Sequence, residues 1–403
     1  MDPTPISFKA ISDITICKLP IPSSTWHFGL FCLMSIFFGF VSVSCQKGNN
    51  EQETYTMNYL VDTVLIDSKE RILYISGYMK GSSLDDDEGS FFLYNHHDLS
   101  IDEINLDRKE FVETYPLDAE GPNGVGNFIL DLQVLDDNLF FGKSVPFSTV
   151  FDKSGRVIQK INWLTAKDSV GDPFGEGPPN SEVVVDTKNW RVMGTNLDFL
   201  KTTAFLGVLS VEDRLVKNIN IDPENSFSNY FLKADNYYQN PWVFLGSIEN
   251  YIYVSHEYSN EIIHFNPEGE LVKVVNYEPK LTPRRANLPE TLTGTREQIR
   301  RESRKLMEQV RFEAPVWDKV NRRYFRLSAK RIFEEGAEDE FLPLKKTHVF
   351  LTVFDAGFNL VSEIELKELF DENYKYFAKD GKLWICQNFS DELGFLVFDL
   401  KIN

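Results

Sequence analysis

Phe151-Asp152-Lys153-Ser154-Gly155-Arg156 ends one apolar strand and starts the next. The phrase returns as Phe265-Asn266-Pro267-Glu268-Gly269-Glu270 and as Phe354-Asp355-Ala356-Gly357-Phe358. Each time an aromatic closes the strand, Asp or Asn opens a tight turn, and Gly is expected to take the positive φ that other residues avoid. Upstream lies a second pattern, two strands joined by a short turn rich in Asp, Ser and Asn, whose side chains satisfy turn backbone. It is read at Val61-Ile66 with Ile72-Ser76, Asp131-Leu135 with Leu139-Gly142, and Glu182-Val185 with Arg191-Gly194. Three more pairs follow, at Val243-Gly246 with Tyr251-Ser255, Val316-Trp317 with Tyr324-Leu327, and Tyr376-Ala378 with Leu383-Cys386. A unit of roughly sixty residues built of short strands and repeated six times predicts an all-β chain, a six-bladed β-propeller of four-stranded blades. A β-sandwich would not require this alternation of inner pair and outer hairpin.

The last unit stops after its third strand, Phe395-Leu400, while Thr54-Tyr59 stands before the first unit with no partner. The N-terminal strand is therefore expected to close the last blade, so that no sheet edge is left open there. Residues 53–403 are assigned to the propeller. In this frame the a–b and c–d turns share one face, and the b–c and d–a connections share the other. The second face is expected to hold the insertions, at 77–90, 107–130, 162–181, 222–241, 276–315 and 328–347. Long loops on a rigid scaffold concentrate recognition, which makes this the working face.

The N-terminal region carries an address. An apolar run, Phe28 to Val43, precedes Ser44-Cys45 and a polar stretch from Gln46. The run is short for a bilayer span and suits a signal-peptide core, and small residues before a cysteine resemble a bacterial lipobox. Residues 1–44 are read as a lipoprotein signal peptide, Cys45 as the lipidation site and 45–52 as a lipidated tether. This expectation places the protein in the bacterial cell envelope, lipid-anchored, facing the periplasm or the surface. Of the four cysteines only Cys386 then remains in the propeller, so the fold must rest on its apolar core without a disulfide. The net charge of −19 argues against nucleic acid and against anionic headgroups as partners, because phosphate binding needs Lys and Arg.

Chemistry-bearing features are sparse. His256 and Glu257 open a b–c loop, and His256 is the histidine to test for function against a hydrogen-bonded structural role. His96-His97 and His264 form no zinc spacing. Asp85-Asp86-Asp87-Glu88 lacks the ligand spacing of a calcium loop and reads as a solvated acidic turn. Cys386 reads as a buried inert thiol. A helical insertion, about 290–312 and between blades 4 and 5, has Ile299, Leu306 and Val310 as a narrow apolar stripe. It reads as a peripheral lid whose removal leaves the propeller folded. With Arg284, Arg285, Arg300 and Arg304 it forms the main basic cluster, either an anion site or a charged face set against an acidic body.

Two Gly/Pro loops, Glu120-Gly121-Pro122-Asn123-Gly124 and Glu176-Gly177-Pro178-Pro179-Asn180, enter the working face. The first precedes a strand and opens no helix, which removes a dinucleotide reading. Glu120, Asn123 and Glu176 are their candidate ligand-binding side chains. On these loops the chain resembles uncharacterised bacterial six-bladed propeller lipoproteins, related in architecture to NHL and TolB-like propellers. The expected function is binding or scaffolding of a protein or glycan through the b–c/d–a face, with no cofactor. The alternative is a propeller hydrolase or lyase acting on a sugar-derived substrate, with a metal ion such as calcium in the central channel.

Overall fold

The computed structural model describes residues 56–403, except 76–78, 80, 136–138, 146, 175–178, 180–181, 199–201, 223, 249–250, 335–343 and 371–374. Cys45, the tether and Glu176 lie outside the described residues. Six antiparallel sheets follow one another along the chain as blades of a propeller. Blade 1 comprises Ser82–Leu84, Ser90–Asn95, Ser100–Asn105 and Glu110–Pro116 as strands a to d, and blade 2 comprises Asp131–Leu135, Leu139–Lys143, Phe147–Asp152 and Val157–Asn162. Blade 3 runs through Val183–Asp186, Arg191–Asp198, Thr203–Ser210 and Leu215–Asn220, and blade 4 through Val243–Ile248, Tyr251–His256, Ile262–Phe265 and Leu271–Val275. Blade 5 has Val316–Asp318, Arg323–Phe333, Leu344–Asp355 and Leu360–Glu365, and its second strand also pairs with Val310–Phe312.

Blade 6 has Tyr376–Lys379, Lys382–Phe389 and Glu392–Ile402 from the C-terminus, and its outer strand is Met57–Leu65. The closing register runs from Met57 opposite Ile402 to Leu65 opposite Gly394. The expected clasp is therefore present, and it is longer than Thr54-Tyr59. It also takes Val61-Leu65, which the sequence had suggested as the inner strand of blade 1. Residues 71–75 form no strand, and the inner strand of blade 1 is Ser82–Leu84. A three-residue strand of Ser, Ser and Leu has no apolar alternation to announce it, whereas the nine-residue closing strand has. The supposed insertions shrink accordingly. Segments 77–90 and 107–130 contain strands a and d of blade 1, and much of 328–347 belongs to the two long middle strands of blade 5.

Successive blades pack through apolar clusters that bridge neighbouring sheets. One joins Leu327 and Leu351 of blade 5 to Ile385 and Phe398 of blade 6, and another joins Phe91 of blade 1 to Phe395 and Trp384 of blade 6. The three quoted turns share one geometry, with a register shift at Val150/Phe151, His264/Phe265 and Val353/Phe354. Asp152, Asn266 and Asp355 each accept a backbone N–H from across the turn, at 3.2, 2.8 and 2.9 Å from residues 156, 270 and 359. Gly155 and Gly269 have φ of +80° and +75°, as expected, but in the third copy Phe358 takes the positive φ, at +64°. That backbone cost is offset by burial of the ring, which stacks on Tyr324 at 3.9 Å and meets His264 edge-on at 4.8 Å.

Long d–a connections gather on one face. The segment between blades 4 and 5 carries the α-helix Arg296–Met307, started by a capping box in which Thr295 Oγ1 accepts from Gln298 N at 3.3 Å and Gln298 Oε1 accepts from Thr295 N at 2.8 Å. Ile299 and Leu306 are buried against Tyr230, Leu232, Ala234, Tyr258 and Ala286, most of which come from the connection between blades 3 and 4. Val310 leaves the helix and joins the short strand with the buried Phe312. The insertion is thus docked through its apolar stripe and completed by a strand of blade 5, which is more than a lid on the rim.

Candidate functional site

Strand a of each blade starts at the b–c/d–a face, so the residues that begin these strands meet at that end of the central channel. A cavity of about 660 Å³ runs along the inner strands of blades 1, 2, 3, 4 and 6, from Asp131 and Glu182 at that end to Leu135, Asp86 and Thr187 at the a–b end. Its charged lining comprises Asp131 at the start of blade 2, Glu182 just before blade 3, Lys375 just before blade 6 and Asp86 in the a–b turn of blade 1. Lys375 Nζ donates to the Ser82 carbonyl at 3.0 Å and so links blades 6 and 1. Gln133 donates to Asp131 Oδ2 at 3.1 Å and to the Val183 carbonyl at 2.5 Å. Behind them Lys143 is buried. Burial pulls its ammonium below the usual lysine range, while the charges of Asp131 and Glu182 oppose that effect. The cavity is thus lined by three carboxylates, Asp86, Asp131 and Glu182, and one ammonium group, Lys375, with Lys143 buried behind the wall.

Blade 5 contributes no lining residue to the cavity because its entry segment fills that sector. Three inner side chains hold the carbonyls of 313–315. Arg326 Nε donates to Glu313 O at 2.7 Å, Tyr253 Oη to Pro315 O at 2.9 Å, and Tyr376 Oη to Ala314 O. Arg326 is fully buried and also donates to the Asn260 and Ser259 carbonyls at 2.8 and 3.3 Å, with its guanidinium 5.0 Å from the Phe312 ring. The Tyr253 ring crosses the backbone where a Cβ on Gly246 would lie 2.2 Å from its hydroxyl, so that position has no room for a side chain.

An aromatic group lies on the b–c/d–a face. The b–c turn of blade 1 and the segment entering blade 2 bring together Tyr74, His96, His97 and Phe128, with Tyr74 to His96 at 4.3 Å, His96 to His97 at 4.1 Å and His96 to Phe128 at 5.7 Å. Phe128 is 48% exposed. Its backbone is tied to the end of strand b of blade 2, because Ser144 Oγ donates to Phe128 O at 2.7 Å and Leu130 N to Lys143 O at 2.7 Å. Across the face Trp242, which enters blade 4, is 40% exposed.

The residues singled out from sequence fall in several places. Glu120 is exposed, while Asn123 is half-buried and accepts from Val157 N at 3.3 Å, which pins the Gly/Pro loop to blade 2. His256 is buried; its Nδ1 accepts from Tyr258 N at 3.3 Å, so the proton sits on Nε2 and points to Ser226 Oγ at 3.1 Å. A hydrolytic Ser–His pair needs the opposite polarity, with Nε2 accepting from the hydroxyl and Nδ1–H held by a carboxylate. Burial, assisted by Arg326, lowers the His256 pKa to about 3, so the ring is neutral and structural. Glu257 is likewise interior, accepting from Trp242 N at 2.8 Å and from Arg311 Nε at 2.7 Å.

Arg284 pairs with Glu278 and lies on the segment that runs beside Ser259 and Asn260. Arg285 is exposed on that same segment. Arg300 and Arg304 are on the helix, where Arg304 lies 3.8 Å from Glu308. The acidic turn is not wholly solvated, since Glu88 is buried and meets Lys319 of blade 5 at 3.4 Å. Cys386 is buried and its thiol is pushed up to about 12, as suits an inert residue. Among the described residues no group of three or more His, Cys, Asp or Glu is placed to hold a metal ion.

Asp131, Gln133, Lys143, Glu182 and Lys375 were not singled out from sequence. The signal was available: charged residues at the heads of otherwise apolar innermost strands, where burial is costly unless they are paired.

The profile of the family described as "Domain of unknown function (DUF4221)" matches residues 54–365. No curated protein matches the chain. Among solved structures, the chain is similar to a DUF4221 family member from Bacteroides vulgatus at 13% identity and a TM-score of 0.63, with 87% of this chain and all of that one covered. It is also similar to a Bacteroides fragilis protein at 7% identity and a TM-score of 0.50, covering 87% and 97%. At such identities the likeness concerns the fold. The chain belongs to the DUF4221 family.

Proposed function

We propose that this DUF4221 propeller is a lipid-anchored binding or scaffolding module of the cell envelope, tethered at Cys45 and recognising a protein or glycan through its b–c/d–a face. One observation carries the reading. The face on which the inner strands begin, with Asp131, Glu182 and Lys375 of the channel cavity, also bears the long connections and the exposed rings of Phe128 and Trp242. A cavity of this size with a few convergent polar groups falls in the usual range for ligand sites, and rigid inner strands hold those groups in place. The anchor is supported by the Phe28–Val43 run before Cys45.

The experiment is photo-crosslinking of the full chain in cells, with a benzophenone side chain at Phe128 or Trp242, compared with Asp87 or Glu212 on the a–b/c–d face. Adducts are expected from the first pair only. Equal adducts from both faces, or adducts from the second pair alone, would remove the face assignment. The hydrolase or lyase reading draws on one feature, the carboxylates of Asp131 and Glu182 in the channel cavity. Turnover of an oligosaccharide that disappears in both Asp131→Asn and Glu182→Gln would replace binding with catalysis.

A further inference from the structure

We infer that a basic pocket where blade 5 hands over to blade 6 is the surface by which the tethered propeller rests on an anionic bilayer, its lysines meeting lipid phosphates. This rests on the reading of Cys45 as a lipid anchor and names the side of the protein that the anchor turns to the membrane. The pocket, about 450 Å³, lies between the start of strand c of blade 5 and the connection that follows strand d. Lys345, Lys346 and Lys367 line it. All three are exposed, and none has an ion-pair partner among the described residues. The one carboxylate of the lining, Glu365, is taken up by His348 Nδ1 at 2.6 Å. Thr347, only 4% exposed, also lines the pocket, and its Oγ1 has no hydrogen-bond partner. A buried hydroxyl left open beside three open ammonium groups marks a place for ligand oxygens, as phosphate supplies.

Two further observations choose a bilayer over a soluble anion. The same pocket carries large apolar side chains turned outward, Phe370 at 64% and Leu344 at 43% exposure. Rings and aliphatic chains beside lysines suit the headgroup boundary, where apolar groups enter and ammonium groups stay at the phosphates. The chain also enters the fold at this edge. Met57 packs in one apolar cluster with the lining residues Leu366 and Leu369, and Tyr59 Oη accepts from Lys367 N at 3.3 Å and donates to Glu368 at 2.8 Å. Residues 46–56, which join Cys45 to Met57, reach no more than about 40 Å when extended, so this edge is kept nearest to the lipid. A body of net charge −19 is repelled by an anionic surface as a whole, and the three lysines set which side of a tethered protein turns to it. Phe128 and Trp242 belong to other blades and stay open to a partner.

The test uses the full chain, its lipid checked by intact mass, in vesicles of phosphatidylcholine alone or mixed equally with phosphatidylglycerol. An environment-sensitive dye is placed at Phe370→Cys, the thiol of Cys386 being buried, and at Glu212→Cys as a control. A blue shift is expected at Phe370 in the mixed vesicles, smaller in phosphatidylcholine, reversed by high salt and absent at Glu212. Changing Lys345, Lys346 and Lys367 together to Glu should abolish the shift at unchanged melting temperature, and changing them to Arg should keep it. In an anchored chain, an equal shift in both vesicle types, or in the Glu variant and wild type, overturns the docking and leaves the anchor. A shift produced by inorganic phosphate without vesicles makes the pocket a small-anion site and overturns the bilayer. A chain without lipid at Cys45 overturns the anchor; a shift of its probe on mixed vesicles would still carry the docking, and no shift would remove both.

Discussion

At the scale of single residues, the interior of this propeller separates groups that look functional from groups placed to act. His256 stands beside Glu257 in a loop of the working face, which made it the histidine to test, yet both side chains are turned inward and bonded to backbone. What decided this was the N–H of Tyr258, a contact that no local motif reveals. The burial has a pH consequence. An unfolded chain protonates His256 near its ordinary value of 6.5, whereas the folded chain resists until about pH 3. Between those values the unfolded state binds more protons, so stability falls as pH drops from 6.5 and is unaffected above it. The loss by pH 5 is about 2 kcal/mol from this residue. Urea unfolding at pH 7 and pH 5 should show a drop that His256→Gln reduces by about that amount. Identical drops in the variant and wild type would mean that the ring is not held neutral. The channel residues teach the converse: Asp131 and Glu182 were read only as parts of strands, because convergence of strand ends from different blades is a property of the closed ring.

At the scale of elements, the turn phrases were the most legible feature, since an aromatic, an Asx residue and a Gly impose local geometry whatever surrounds them. Phe358 shows the limit of that legibility. Its positive φ is sustained by ring packing, a tertiary cause that overrides the local preference. Short polar strands were the least legible, and Ser82–Leu84 was missed for that reason, which shifted the first blade by one strand. The helical insertion was placed correctly, but its docking was underestimated. Replacing 290–312 with a short Gly/Ser linker removes Ile299, Leu306, Val310 and Phe312, all buried. Each such side chain contributes about 2–5 kcal/mol when truncated in a packed core. Calorimetry should therefore show a large fall in melting temperature, with blade 5 losing protection from hydrogen exchange. A melt within a few degrees of wild type would return the insertion to a peripheral role.

For the molecule as a whole, closure joins the two ends of the propeller in one sheet, with Met57–Leu65 paired along the last strand. That strand buries Met57 and Val64 and covers the edge that Glu392–Ile402 would otherwise expose. Deleting 57–65 should abolish the single cooperative melt and promote aggregation, while Leu60→Ser, at an exposed position of the same strand, should leave the melt nearly unchanged. A cooperative melt in the deletion would show that the ring does not depend on its clasp. Closure also creates the channel, whose cavity is lined by side chains from five blades. The most direct measurement of whether the b–c/d–a face is the recognition surface is hydrogen–deuterium exchange of the full chain with and without the partner that crosslinks at Phe128 or Trp242. New protection is predicted in 126–133, 142–145 and 96–98, around Phe128 and the connections of that face. Protection confined to the a–b and c–d turns, or to the outer strands, would contradict the account.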